Sequence, residues 1–416
     1  MRKAGLLLLL CLLMGCSQTV AEPTSVPTAV AQAATATLEP TATPLPTETP
    51  SPTNTPIPTE TPIPTDTPQP MVTPVPTSTK RPTPTANPDV ALFSAENLFT
   101  LHTDAPAVPN GEPDAFDRQF TDPGAALFHD GTFYMFHNGF TGWPASVNVY
   151  LSTSQDGLNW ERVQEEPVWQ GNDLDYVGVA ALASSAIVLE DGTWALYFYT
   201  WDDPTWPRGR TQIGVATAPD PLGPWTAADG PILVPDGESS WDATSVRSPS
   251  VIKTEAGYSM YYSVTDANFD NAMIGRADSA DGLTWTKYDD PATTDDPFAA
   301  SDPVFAGGGT WDPLHVYQPR VQQTPDGLVM LYTASSSIAG SRLSQRHGIA
   351  ISQDGTNWVR TADAIFDARD FASNANMIWF TELVYANDTY FVYVELGKSN
   401  ETEVYVATYQ GALLGD

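Results

Sequence analysis

The sequence predicts an all-β protein, a five-bladed β-propeller of four-stranded antiparallel blades that follows a disordered Thr/Pro-rich stalk. Three observations support this fold class. Aromatic strands follow tight turns at five places, a further short strand follows each of them, and four of the units then close on a Trp-containing turn. The units recur about every 60 to 70 residues, and a near-constant period is the signature of a repeat architecture.

The five aromatic strands define the blades. Each strand is short and bounded by Gly, Asp or Asn, so the units leave no room for helices. An apolar run precedes each strand and is expected to form the innermost strand of its blade. A six-bladed propeller or a pair of β-sandwiches would need a further unit, which the sequence does not contain. The aromatic strands are Gly131–Phe136, Gly192–Tyr199, Gly257–Tyr262, Gly327–Tyr332 and Asp388–Tyr393.

The closing turns are nearly identical in three units, Ser154–Trp160, Ser279–Trp285 and Ser352–Trp358, and diverged in the second, Thr217–Trp225. The Asp of such a turn can accept hydrogen bonds from backbone N–H groups, the Gly supplies a positive φ, and the Trp can pack between blades. The turns resemble the Asp-box of sialidases, which has one more residue between Asp and Gly. We expect them to be structural and to lie on the outer strands.

The first sixteen residues are typical of a targeting segment. Arg2 and Lys3 precede an apolar run that is too short to span a bilayer. The run ends in Leu13–Cys16, which looks like the lipobox of bacterial lipoproteins, in which the Cys is lipidated and becomes the mature N-terminus. An ordinary secretory signal with an incidental Cys is the alternative. Both cysteines, Cys11 and Cys16, lie in this segment, so the exported domain is expected to lack disulfides.

Composition divides the rest of the chain into a stalk, residues 17–90, and a propeller, residues 91–416. Nearly half of the 38 prolines precede residue 91, and no apolar periodicity accompanies them, so this part cannot form a core. The chain carries 18 Lys and Arg against 50 Asp and Glu, for a formal net charge of −32, which argues against nucleic acid as a partner. We expect an exported monomer that is lipid-anchored to the cell membrane or outer membrane and contacts the membrane only through the anchor.

Aligning the five units on their turns identifies equivalent residues on the inner strands, where a propeller places its central channel. Phe120–Ala125 looks like the first-blade Asp-Pro motif of the five-bladed glycoside hydrolases, families 43 and 32 and their relatives. Ser184–Ala186 is similar to the Ser-Gly-Ser-Ala segment of family 32. Val246–Val251 resembles its Arg-Asp-Pro motif, with Ser248 where Asp is expected. The resemblance spans about 110–416, and it implies that Asp122 is the catalytic base or nucleophile.

Hydrolysis of a glycoside needs a second carboxyl group to protonate the leaving oxygen. In the fourth unit Gln318 stands where an acid would suit the pattern, and Gln cannot donate that proton. Glu382 is the remaining inner-strand acid, and it lies in the last blade, which neighbours the first blade in a closed ring. We therefore predict Asp122 and Glu382 as the catalytic pair. An Asp also precedes three of the inner strands, and its recurrence favours a structural role: Asp117, Asp242 and Asp312.

Arg and aromatic residues near the channel are candidates for substrate binding. Arg247 and Arg320 could bind a carboxylate or sugar hydroxyls, or else neutralise Asp122 and Glu382. Trp residues in the loops could form a carbohydrate platform or pack on the blades: Trp143, Trp201, Trp206 and Trp241. The predicted substrate-binding residues are Arg247, Gln318, Arg320, Trp143, Trp379 and His315. His315 and His137 lack metal-ligand spacing, so no metal or cofactor is predicted, although a structural Ca²⁺ in the channel is left open.

Two functions remain from the sequence. The first is a surface-anchored glycoside hydrolase that acts on a polysaccharide or oligosaccharide. The second is a catalytically inactive propeller that binds carbohydrate. A purely structural spacer would suit the stalk but would leave the polar residues of the inner strands without a role. The sequence indicates neither the sugar nor the linkage.

Overall fold

The structure, a computed structural model, describes residues 98–414 except for 144, 204–208, 266–271, 336–344, 372–374, 376 and 399. The chain divides into two units, Met1–Thr77 and Ser78–Asp416, and every described residue belongs to the second. The signal peptide, Cys16 and the stalk lie outside the described residues, and the domain boundaries stay predictions. Among the residues described, no helix has the length and apolar character needed to cross a bilayer.

The described residues form short strands and one four-residue helix. In chain order the strands are β1 Thr100–Leu101, β2 Phe120–His129, β3 Thr132–Phe140, β4 Asn148–Ser154, β5 Glu161–Arg162, β6 Ala180–Val188, β7 Trp194–Trp201, β8 Ile213–Ala218, β9 Thr226–Ala227, β10 Val246–Thr254, β11 Gly257–Thr265, β12 Ala272–Ser279, β13 Thr286–Lys287, β14 Pro303–Ala306, β15 His315–Thr324, β16 Gly327–Ser335, β17 Gln345–Ser352, β18 Val359–Arg360, β19 Met377–Ala386, β20 Thr389–Lys398 and β21 Glu401–Gln410. The helix, α1, is Ala368–Phe371 and lies between β18 and β19.

The strands form five antiparallel blades around a ring. Blade 1 consists of β2–β5, blade 2 of β6–β9, blade 3 of β10–β13 with β14 added beside β12, blade 4 of β15–β18, and blade 5 of β19–β21 with β1. The first strand of each blade is the innermost, and consecutive inner strands contact one another, including the last and the first. The all-β, five-bladed prediction is confirmed.

Blade 5 is completed by the other end of the domain. Thr100 and Leu101 of β1 pair with Thr408 and Ala407 of β21, so residues that precede blade 1 supply the outermost strand of blade 5. One parallel pair, Phe120 with Thr402, then joins β21 to the innermost strand of blade 1. This arrangement explains why the fifth unit has no Trp-containing turn, since its outer strand does not follow it in the chain.

The aromatic strands predicted from the sequence are the second strands of the blades, and they carry the core. Their largest side chains are fully buried between neighbouring blades: Phe133, Phe136, Tyr197, Phe198, Tyr261, Tyr262, Tyr332, Tyr390 and Tyr393. Burying a side chain of this size stabilises a protein by about 1.5 to 3 kcal/mol. Inter-blade packing of these rings is therefore the main source of stability.

The Trp-containing turns connect neighbouring blades, as a structural role requires. In the first, Asp156 Oδ1 accepts hydrogen bonds from the backbone N–H groups of Leu158 (2.9 Å) and Asn159 (2.8 Å), which hold the pKa of Asp156 below its usual value. Gly157 has a φ of 75°, and its carbonyl accepts a hydrogen bond from Tyr393 of blade 5 (3.0 Å). The two other intact turns repeat this contact, Tyr197 to Gly282 (2.9 Å) and Tyr261 to Gly355 (3.2 Å).

The three Asp residues that precede inner strands are also structural, because each forms an ion pair within its own blade. Each pairs with the last residue of the outermost strand: Asp117 with Arg162, Asp242 with Lys287 and Asp312 with Arg360. All three Asp residues are fully buried. Blade 2 has apolar residues, Val177 and Ala227, at the two corresponding positions, so both partners of the ion pair are replaced there.

Candidate active site

The inner strand of every blade contains a β-bulge at the same depth. The register shifts lie between Asp122 and Ala125, Ala183 and Ser185, Arg247 and Ser250, Tyr317 and Arg320, and Ile378 and Thr381. The alignment of the five units from the sequence found these bulges but was one residue off in blades 3 and 4, because the strand registers make Arg247 and Tyr317, rather than Ser248 and Gln318, the counterparts of Asp122. Within the bulges Gly124, Ser248 and Gln318 have φ near +50°, a conformation that is uncommon for Ser and Gln. A bulge redirects side chains, here at the centre of the ring.

Asp122 is held at the first bulge by one of its two oxygens. Oδ1 accepts hydrogen bonds from the backbone N–H of Gly124 (2.7 Å) and from Asn138 Nδ2 (2.8 Å), whereas Oδ2 has no hydrogen-bond partner in the described part of the chain. The side chain is only 2% exposed. Burial raises the pKa of Asp122 to about 7, against the lowering effects of Asn138, Gly124 and Arg320.

Asn138, which the sequence analysis did not identify, positions Asp122. It lies on β3 directly opposite Asp122. Its amide also exchanges two hydrogen bonds with the backbone of Ala183 in blade 2, at 2.9 Å each. Asn138 therefore fixes the carboxylate of Asp122 relative to the second inner strand. A polar residue at the end of an aromatic strand was the only sequence signal for it.

Glu382 lies on the inner strand of blade 5 and is 4% exposed. Its Oε1 accepts a hydrogen bond from the backbone N–H of Leu383 (2.8 Å), and its Oε2 lies 3.2 Å from Nε of Arg320. Burial raises the pKa of Glu382 to about 7, and the charge of Asp122 adds to this, although Arg320 and two backbone N–H groups lower it. The desolvation caused by burial thus outweighs the ion pair. The two predicted catalytic carboxyl groups are therefore electrostatically linked, since Arg320 lowers the pKa of both and the charge of Asp122 raises that of Glu382.

Glu382 also belongs to a ring of polar contacts that joins the inner strands. The backbone N–H of Ala126 in blade 1 is close enough to the carboxylate of Glu382 to lower its pKa. Arg320 donates to the carbonyl of Thr381 (2.8 Å), which connects blades 4 and 5. The other junctions are Asn138 with Ala183, Ser185 Oγ with the N–H of Val251 (3.0 Å), and Ser250 Oγ with the N–H of Val321 (2.9 Å). Both a catalytic and a structural role are therefore open to Glu382.

A third buried carboxyl group, Glu395 on β20, was missed by the sequence analysis. It is 1% exposed, and its neighbours Val394 and Leu396 pair with Thr381 and Ile378, so that Glu395 faces the bulge of β19. Burial and the charge of Asp122 raise the pKa of Glu395 well above its usual value. A single acidic residue inside an otherwise apolar strand gave no indication of this placement.

The other predicted residues lie around the same bulges. Arg247 is buried, with its guanidinium carbon 5.8 Å from the ring of Trp201, and burial lowers its pKa. Gln318 accepts a hydrogen bond from Thr333 Oγ1 (3.0 Å) and donates its backbone N–H to Ser263 Oγ (2.7 Å). His315 is buried at the start of β15, and Trp379 is half-buried at the bulge of β19.

The sequence left two roles open for the four loop Trp residues, and the structure assigns packing to two of them. Trp201 and Trp241 are 2% and 4% exposed and belong to the hydrophobic core. Trp241 also donates its indole N–H to Ser301 Oγ (3.0 Å). Trp143 is half-buried against Trp201, with ring centroids 5.6 Å apart. Trp206 lies outside the described residues.

Histidine and carboxylate side chains do not form a metal site in the part of the chain that is described. His137 is buried, its Nε2 lies 3.1 Å from Ser152 Oγ, and burial lowers its pKa to about 3, so it is neutral. Among the described residues, no group of three or more His, Cys, Asp or Glu side chains is arranged to hold a metal ion. The carboxylates near the bulges instead accept hydrogen bonds from N–H and O–H donors.

Comparison with known proteins relates the first three blades to one family. Residues 116–301 match the family described as glycosyl hydrolases family 32 N-terminal domain, a segment that contains Asp122 but neither Glu382 nor Glu395. Among curated protein sequences, none is significantly similar to the chain.

Solved structures extend the similarity over most of the chain. One described as "The GH130 family of mannoside phosphorylases contains glycoside hydrolases that target beta-1,2 mannosidic linkages in Candida mannan" is 18% identical, with a TM-score of 0.58 over 80% of this chain and 99% of its own. A glycosyl hydrolase from Bacteroides ovatus is 18% identical, with a TM-score of 0.58 over 77% and 96%. A thermostable family-43 glycoside hydrolase is 13% identical, with a TM-score of 0.51 over 71% and 90%. The chain thus has the five-bladed propeller fold of these glycoside hydrolases.

Proposed function

We propose that this protein is a glycoside hydrolase that cleaves O-glycosidic bonds of a polysaccharide or oligosaccharide, with Asp122 as base or nucleophile. The observation that carries the proposal is the state of Asp122. One oxygen is held by Gly124 and Asn138, the other has no partner among the described residues, and the pKa is about 7. A held carboxylate with one oxygen free of hydrogen bonds suits either attack on an anomeric carbon or removal of a proton from a water molecule that attacks that carbon.

Glu382 is the proposed general acid. Its pKa of about 7 keeps a substantial fraction protonated near neutral pH, and general acids work best when their pKa lies near the working pH. Arg320, which contacts Glu382, would stabilise the carboxylate that forms when the proton leaves. The family match supports Asp122, and the fold similarity supports the carbohydrate class of the substrate.

A catalytically inactive carbohydrate-binding propeller is the second candidate, and a specific observation favours it. Both oxygens of Glu382 are engaged, one with Leu383 and the other with Arg320. The bulges of blades 3 and 4 carry the uncharged Ser248 and Gln318. Under this alternative, Glu382 would serve only to join the inner strands.

The place of action is proposed from the N-terminal sequence alone. An apolar run that ends in Leu13–Cys16 and a Thr/Pro-rich segment of about 70 residues favour a lipid-anchored domain carried on a stalk. An extended stalk of that composition could hold the domain on the order of 200 Å from the membrane. That distance would let the domain reach polymers outside the cell.

Activity measurements on matched variants distinguish the two candidates. Wild type is expected to hydrolyse at least one of arabinan, xylan, fructan and mannan, and Asp122→Asn is expected to lower kcat by several orders of magnitude while KM changes little. Glu382→Gln should be rescued in part on substrates whose leaving group needs no proton. Asp130→Asn, a change at an exposed turn, is the control. Activity that survives Asp122→Asn unchanged would refute the hydrolase as proposed, and binding without cleavage by wild type would favour the second candidate.

A further inference from the structure

Glu395 is a buried ionisable group that the proposed mechanism does not use. It lies on the second strand of blade 5, whereas Asp122 and Glu382 lie on inner strands. Its Oε1 accepts a hydrogen bond from Thr402 Oγ1 (2.5 Å), and the backbone N–H of Phe380 also lowers the pKa of the carboxyl group. Its Oε2 is buried and has no hydrogen-bond partner in the described part of the chain. A buried carboxylate with such an oxygen is costly unless it carries a proton.

Thr402 connects Glu395 to the strand that carries Asp122. The backbone of Thr402 pairs with Phe120, two residues before Asp122, and its N–H donates to the carbonyl of Gln119 (3.1 Å). Its hydroxyl binds Glu395, as described above. The junction of blades 5 and 1 therefore places two buried carboxyl groups together, and each has one oxygen without a partner among the described residues.

We propose that Glu395 is a positioning residue whose protonation is coupled to that of Asp122. Glu395 holds a proton at neutral pH, so that Asp122 can carry the negative charge. The catalytic meaning of this pair rests on the proposed function, whereas the pair itself does not. Two carboxylates in one desolvated site cannot both ionise at low cost, so the group with the less favourable surroundings keeps its proton.

The charged and titratable groups around the pair indicate which carboxyl group keeps the proton. Arg320 of blade 4 lowers the pKa of both Asp122 and Glu382. For Glu395 burial raises the pKa most and the charge of Asp122 adds to this, whereas only hydrogen bonding to Thr402 and Phe380 lowers it. Burial also raises the pKa of Tyr199 of blade 2, and the charges of Asp122 and Glu395 add to this against Arg247 and Arg320, so Tyr199 is neutral and offers no charge.

Infrared spectroscopy tests the pair without any substrate, because a protonated carboxyl group has a carbonyl stretch distinct from that of a carboxylate. At about pH 8.5 Asp122 and Glu382, with pKa values of about 7, are mostly ionised. The proposal therefore assigns a carboxyl proton that remains at this pH to Glu395, whose pKa is raised by burial and by the charge of Asp122. We expect the band in wild type and in the surface control Glu401→Gln, and its loss in Glu395→Gln. In Asp122→Asn the pH at which the band disappears should fall by about one unit or more, because the neighbouring charge is gone.

Two outcomes would overturn the proposal. The first is a wild-type spectrum without a protonated carboxyl group at pH 8.5, and the second is a band with the same midpoint in wild type and Asp122→Asn. Neither outcome depends on Glu395→Gln being able to fold. A shifted band together with no cleavage of any glycoside would leave the pair intact and reject the hydrolase. Cleavage of a glycoside without a shift of the band in Asp122→Asn would leave the hydrolase intact and reject the pair.

Discussion

Replacing Asp122 by Asn should change how the stability of the protein depends on pH. In the folded protein burial raises the pKa of Asp122 from 3.8 to about 7. Between these values the folded state holds a proton that the unfolded state has released, so the free energy of unfolding falls as the pH rises through this window. The stabilisation that the Asp122 proton contributes is fully present below about pH 3.8 and is lost by about pH 7.

The size of the effect follows from the shift. One pKa unit corresponds to about 1.4 kcal/mol, so Asp122 alone should contribute a slope of about 1.4 kcal/mol per pH unit and a total loss of about 4 kcal/mol. Asn cannot ionise and keeps a similar shape. The stability difference between Asp122→Asn and wild type should therefore rise in favour of the variant by about 4 kcal/mol between pH 4 and pH 8. Glu382 and Glu395 also have raised pKa values and add to the wild-type slope with the same sign.

Urea unfolding at half-unit steps from pH 4 to pH 8 measures this difference. Asp130→Asn, at an exposed position, is the control and should follow wild type throughout. Parallel curves for wild type and Asp122→Asn would show that Asp122 titrates in the folded protein as it does in the unfolded chain. That result would refute the reasoning from burial and remove the main support for Asp122 as a neutral-pH base.

Three further predictions concern the anchor, the turns and the fold. Cys16→Ser should release the protein from membrane fractions in a fractionation experiment, and unchanged membrane association would contradict the lipobox interpretation. Tyr261→Phe should lower the unfolding free energy by about 1 kcal/mol, because the hydroxyl of Tyr261 donates a hydrogen bond to the carbonyl of Gly355. Tyr262→Phe is the control and should leave the unfolding free energy unchanged, because the buried hydroxyl of Tyr262 has no partner among the described residues; equal effects of the two substitutions would argue against the contact. Circular dichroism of residues 91–416 should show an all-β spectrum, and substantial helix would be inconsistent with the propeller.

Local sequence patterns predicted the blades because each blade is built from the same kinds of turn and the same buried aromatic strand. Glycine-containing turns fix where a strand begins, and aromatic residues in the second strands must be buried between blades. The same repetition located the bulges from the sequence, including that of Asp122, although it placed the counterparts of Asp122 in blades 3 and 4 one residue too late. The role of Asp117, Asp242 and Asp312 was predictable for the same reason, since residues that recur in several blades serve what the blades have in common.

Interactions that occur once could not be predicted in this way. The pairing of β1 with β21 joins residues about 300 positions apart and has no counterpart in the other blades. Glu395 corresponds to no acidic residue on the other second strands, and only the closed ring brings it near Asp122. The sequence left the roles of Trp201 and Trp241 open, because their burial depends on how neighbouring blades pack.

The closure of the ring and the chemistry proposed for it depend on the same side chains. Glu382 pairs with Arg320 of blade 4, and the backbone N–H of Ala126 in blade 1 lowers its pKa, so it interacts with both neighbouring blades while serving as the proposed acid. A loss of activity in Glu382→Gln could therefore arise from a loosened junction as well as from a missing proton. The partial rescue by substrates with good leaving groups separates these causes, because such substrates bypass the proton but still need an intact channel. Rescue that is accompanied by wild-type unfolding behaviour at pH 5, where Glu382 is largely protonated, would assign the defect to proton transfer alone.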